Sequence, residues 1–149
     1  MTEPTPPKYI YKILPSCPPP PTPLPMSLPL SDLDSRDGFI HMSTSVQILG
    51  TLKAFFNNAA SIVILRVPYE RVESRVKWEM AKGKRPEERG GCWDTEGILG
   101  GFPHIYHAPD GELRLGREEV QDSGTWNRVG ETWSQEGWPF GSDDLPKES

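Results

Sequence analysis

Cysteine is nearly absent, with Cys17 and Cys92 alone among 149 residues. Two thiols so far apart, without metal-ligand spacing, argue against a disulfide scaffold and against a zinc site. No apolar run is long enough to cross a bilayer, and no signal-type apolar segment follows Met1, so a soluble cytoplasmic protein is expected. Excess positive charge is lacking too. The formal net charge is −5, which disfavours nucleic acid as a partner, because phosphate backbones are gripped by clustered Lys and Arg. A basic stretch from Arg66 to Arg89 is interleaved with Glu70, Glu73, Glu79, Glu87 and Glu88 and reads as a solvated mixed-charge surface. The chain has no Gly-rich phosphate loop, P-loop lysine, nucleophile elbow or internal repeat.

Proline, by contrast, is abundant at 17 residues. After the apolar stretch from Tyr9 to Leu14 come Pro15, Pro18 to Pro21, Pro23, Pro25 and Pro29, which exclude a helix or a central strand. Residues 15–36 are expected to form an extended loop. It is either a rigid surface connector or a ligand for a proline-binding protein partner.

Histidine is scarce, with three residues, and two of them lie in matched settings. Asp37-Gly38-Phe39-Ile40-His41-Met42-Ser43-Thr44 and Phe102-Pro103-His104-Ile105-Tyr106 both read as strands. Period two puts Phe39, His41 and Ser43 on one face of the first, and Phe102, His104 and Tyr106 on one face of the second. Imidazoles and hydroxyls among aromatics suit a lined pocket better than a core, where each would need a buried partner. His41 and His104 are therefore expected to open into one cavity. Histidine titrates near neutral pH and serves as an acid, a base or a neutral donor. His104 and His107 alternate across a strand and do not form a metal pair, so no metal is expected.

Thr44 and Gln47 fit a capping box, predicting a helix from Ser45 with Val46, Leu49, Leu52 and Phe56 facing inward. The continuous apolar run from Ser61 to Val67 predicts a strand buried on both faces at the centre of a sheet. Alternation from Val72 to Met80 predicts a half-buried strand on which Trp78 and Glu79 face opposite ways. Residues 82–101 are expected to form a long polar loop. Pro109-Asp110-Gly111 makes a turn, with a returning strand from Glu112 to Val120. Residues 121–149 form an extension whose Trp126, Trp133, Trp138 and Phe140 should pack back on the domain, with a frayed end from Asp143.

Tyr11-Lys12-Ile13, the Asp37 to Thr44 run with Gln47, Trp78-Glu79 and the Phe102 to Tyr106 run together resemble the domain of unknown function family 952 over residues 9–120. That resemblance implies a single-domain α+β fold, an ADP-ribosyltransferase-like split mixed or antiparallel sheet with few helices, after a flexible 1–8. The strand from Phe39 to Thr44 is also similar to the His-x-His-Leu-Ser strand of the NAD-consuming RNA 2'-phosphotransferases. By this resemblance His41, Glu79 and His104 are the catalytic candidates. Tyr11, Phe39, Ser43, Thr44, Trp78, Phe102 and Tyr106 line the ligand. His41 and Ser43 would hold the nicotinamide-ribose end of NAD, and Glu79 would orient a ribose hydroxyl or face an oxocarbenium-like cation.

The expected function is a small enzyme acting on a nucleotide-like or other small molecule. The alternatives are a hydrolase, lyase or isomerase on the same fold without NAD, and a non-catalytic interaction module.

Overall fold

A computed structural model describes residues 7–16, 19–56, 58–79, 102–141 and 144–146. The expectations for the loop 82–101 and for Cys17 and Cys92 lie outside these residues.

Six strands form two three-stranded antiparallel sheets. The first orders β1 (Tyr9–Pro15), β3 (Ser61–Pro68) and β6 (Asp122–Asn127) as β1-β3-β6. The second orders β2 (Ile40–His41), β5 (Phe102–Ile105) and β4 (Val76–Glu79) as β2-β5-β4. Just beyond β2, Ser43 meets Tyr11 of β1, and the two residues exchange both backbone hydrogen bonds at 2.8 and 2.9 Å. This bridge joins the sheets.

The Val/Ile-rich run of β3 is buried on both faces, as a central strand must be. One face, with Val63, Leu65 and Val67, packs with Ile10 of β1 and with Ile40, Met42 and Ile105 from the second sheet. The other, with Ile62 and Ile64, packs with Tyr9, Tyr11 and Ile13, helix α2 (Ile48–Phe55), Trp126 and Trp138. The second sheet therefore turns Ile40, Ile105, Val76 and Trp78 toward the first core, and alternation sends His41 and His104 to its other face.

Several expectations change. Residues 19–31 of the proline tract hold no helix or strand, but the remainder holds helix α1 (Asp32–Asp37). Ser31 caps α1 by accepting from the Asp34 N–H at 3.0 Å, and Gly38 ends it at φ 79°. The tract also docks on the domain through buried Leu28, whose N–H reaches Leu115 at 2.9 Å.

Helix α2 starts at Ile48, not Ser45, with Ile48 and Leu52 as its fully buried residues. In the turn before it the Gln47 side chain accepts from the Thr44 N–H at 3.0 Å, while the Thr44 hydroxyl is buried without a partner. Only the reciprocal half of the box forms. A 3-10 turn at Tyr69–Arg71 precedes the strand expected from Val72, and a second at Glu73–Arg75 takes up its start, so that β4 begins at Val76. Arg66 and Arg75 are buried rather than solvated.

The turn at Gly111 forms with φ 88°, but residues 112–120 return as coil and turn. Arg75 reaches Glu119, Tyr106 O and Arg114 O there. These contacts satisfy the loop's polar groups in place of a strand ladder. The sixth strand comes from the 121–149 extension, so Asp122–Asn127 belong to the domain's first sheet. Asp144 to Pro146, expected to fray, are also docked: Leu145 packs on the Trp138 cluster, and Pro146 is buried.

Candidate functional site

Asp34, on α1, is almost fully buried at 1% exposure. Its Oδ2 lies 2.6 Å from Lys12 Nζ, and its Oδ1 lies 2.6 Å from His41 Nδ1 and accepts from the His41 N–H at 3.1 Å. Lys12 also donates to the His41 carbonyl at 3.1 Å. Burial pushes the Asp34 carboxyl up, but His41 and Lys12 outweigh it and hold the carboxyl below its ordinary value. A buried carboxylate with this many donors satisfies its lone pairs, which is the condition for keeping a charge inside.

His41 has a second carboxylate: its Nε2 lies 3.2 Å from Asp37 Oδ2. A neutral imidazole offers one N–H, so only the imidazolium donates to both Asp34 and Asp37. Its side chain keeps 28% exposure, unlike either carboxylate. The imidazole is thus the member of the cluster that reaches solvent.

His41 and His104 are paired in the β2–β5 register, and their rings sit 5.2 Å apart on the same face. They share one sheet face, as period two predicts, but His104 is buried and neither histidine lines either of the two clefts described below. Phe39 stacks on His104 at 4.1 Å and 13°, and also touches His41 and Tyr106. Lys77, paired with His104 across β4–β5, lies over the Tyr106 ring at 4.6 Å. His104 is buried at 2% exposure. Phe102 is two residues along the same strand, and Glu79 holds the register position opposite it.

Other candidate residues go elsewhere. Trp78 turns to the core side and donates from Nε1 to the Tyr69 hydroxyl at 3.1 Å. Tyr11 is buried against Trp138 and Phe140, with its phenol on Asp144. Ser43 bonds Thr51 at 3.1 Å, and the Thr44 hydroxyl is buried without a hydrogen-bond partner. Tyr11, Ser43 and Thr44 thus sit at the junction of the sheets rather than around His41.

Sequence reasoning missed Lys12, Asp34 and Asp37. Ser31-Asp32-Leu33-Asp34 followed by Gly38 carries the start and stop signals of a short helix, and would have placed both carboxylates beside the His41 strand. Two surface clefts, of about 290 and 340 Å³, lie away from the histidines, one beside Pro20 and Arg117 and the other beside Lys8 and Tyr69. Among the described residues no helix is long and apolar enough to cross a membrane.

A family model described as "Protein of unknown function (DUF952)" matches residues 26–123. Among solved structures, the chain is similar to the crystal structure of protein CC0527 from Caulobacter crescentus. Identity is 25% and the TM-score is 0.55, with 83% of this chain and 90% of that one covered. The solution structure of the same bacterial protein shares the fold at 24% identity and a TM-score of 0.53, covering 94% and 92%. No curated protein matches.

Proposed function

We propose that this chain, which belongs to the DUF952 family, is a small-molecule-acting enzyme whose reaction centre is His41. The observation that carries the reading is the 2.6 Å contact of buried Asp34 with a partly exposed His41, beside a buried His104 stacked on Phe39. The Asp34 carboxylate on Nδ1 fixes the ring's orientation, and His41 exchanges a proton with the substrate through Nε2 once the substrate takes the place of Asp37 there. His104 and Phe39 hold the ring in place.

The substrate class we infer is a nucleotide of the NAD or ADP-ribose type. Two small sheets joined at the Tyr11–Ser43 bridge support an ADP-ribosyltransferase-like reading of the fold. In that reading the substrate's electrophilic carbon lies among the aromatics on the His41 face. His41 handles the proton, and the reading assigns Glu79 the task of offsetting the positive charge that develops at the ribose as its bond to the leaving group breaks. Fold analogy alone does not assign a reaction, so the weight falls on the site.

The test is turnover. Purified protein incubated with NAD, ADP-ribose and a metabolite panel should release product, and Glu79→Gln should abolish release while its melting temperature stays near wild type. A wild-type protein that converts nothing and is stabilised by none of these compounds contradicts the proposal.

A further inference from the structure

The Tyr11 phenol donates to Asp144 Oδ2 at 2.7 Å, and the Ser45 hydroxyl donates to Oδ1 of the same carboxylate at 2.9 Å. Three parts of the chain meet there: β1, the turn that leads into α2, and segment 144–146. Tyr11 and Ser45 are buried, and Asp144 is half-buried. A carboxylate in such a place is ordinarily matched by a cation. Among the described residues, Asp144 has the two neutral hydroxyls and no ion pair.

The backbone is bent to put it there. Asp144 stands at φ 53°, in the left-handed region that side-chain-bearing residues seldom adopt, although aspartate tolerates it better than most. The next two residues hold the segment: Leu145 packs on the Trp138 cluster, and the Pro146 carbonyl accepts from Gln135 Nε2 at 2.8 Å.

We propose that Tyr11 and Ser45 form a binding cradle for a carboxylate, that Asp144 fills it in cis, and that a carboxylate-bearing small molecule competes with segment 144–146 for it. Two O–H donors aimed at the two oxygens of one carboxylate match that group in number and geometry. A phosphate dianion would bring more charge than two neutral donors compensate. The cradle adjoins the bridge where Tyr11 exchanges backbone hydrogen bonds with Ser43, so its occupant acts at the joint between the sheets. This cradle does not depend on the reaction proposed for His41.

The experiment is chemical rescue of the full chain. Asp144→Gly removes the carboxylate yet keeps the left-handed backbone without strain. Thermal melts are recorded in sodium acetate, in inorganic phosphate and in chloride at matched ionic strength. Acetate should raise the melting temperature of Asp144→Gly by a few degrees over chloride, and should leave wild type and the double variant Asp144→Gly/Tyr11→Phe unmoved. If Asp144→Gly does not fold in chloride, folding restored by acetate supports the cradle. Folding in neither salt contradicts it. An equal acetate response in wild type, its persistence in the double variant, no acetate response in any variant, or a response to phosphate instead of acetate overturns the assignment.

Discussion

Asp34 carries the site more than either histidine does, since one buried carboxylate touches Lys12, His41 Nδ1 and the His41 N–H at once. Removing it strands a buried lysine, and breaking a buried pair from one side costs about 3 kcal/mol. Asp34→Ala should lower the unfolding free energy in urea by roughly that amount. The pH dependence follows from the same contacts. Because the folded-state pKa of Asp34 is depressed, its stabilisation is present above the unfolded value near 3.8 and is lost as pH falls through the lower folded value. Wild-type stability should decline through that acid range, and Asp34→Asn should flatten the decline. An equally steep loss in Asp34→Asn would show that other groups carry it. Thr44 gives the opposite case, a buried hydroxyl with no partner. Thr44→Val should be neutral or stabilising, while Gln47→Ala, which removes the acceptor for the Thr44 N–H, should cost about 1 kcal/mol by urea denaturation. The Thr-x-x-Gln spacing revealed the turn but could not say which half of the reciprocal cap forms.

Among the elements, β3 was the most legible, because an unbroken run of branched apolar residues fits a strand buried on both faces. β5 and β2 were legible through the alternation of ring and aliphatic side chains. β6 was not, since Asp122 to Asn127 offers one large apolar residue, Trp126, and its membership is decided by pairing with β3. Helix α1 was hidden by the proline tract before it, while β4 was legible but its start was not, because the 3-10 turn at Glu73–Arg75 preserves an alternating pattern without being extended. The role of β6 makes a sharp expectation. A chain ending at Val120 should fail to give a cooperative melt, because it exposes the edge of β3 and removes Trp126 and Trp138 from the core. Within the full chain Gly124 is equally constrained: a Cβ there would lie 2.3 Å from Pro139 Cβ. Gly124→Ala should therefore be destabilising by calorimetry, as overpacking against a ring that cannot rotate away commonly costs 1–3 kcal/mol. A truncated chain with a sharp native melt would mean that the first sheet is complete without its third strand.

At the scale of the molecule, the two sheets turn their aliphatic faces to a shared core and leave His41, His104, Phe39 and Tyr106 together on the opposite face of the smaller one. The pairing of two distant histidines was legible because period-two alternation survives any sheet topology. The acidic partners were not, because Asp34 and Asp37 reach His41 through the placement of a six-residue helix that period two does not describe. The central claim is that a small molecule binds on the histidine face, and the three histidines report on it separately. His107 is exposed and forms no part of the cluster, which makes it an internal control. The direct measurement is histidine-selective NMR of the full chain titrated with ADP-ribose and NAD. The account predicts saturable shifts of the His41 and His104 ring resonances together, with His107 unmoved. Titrations that leave both rings unchanged, or that move all three alike, would contradict it.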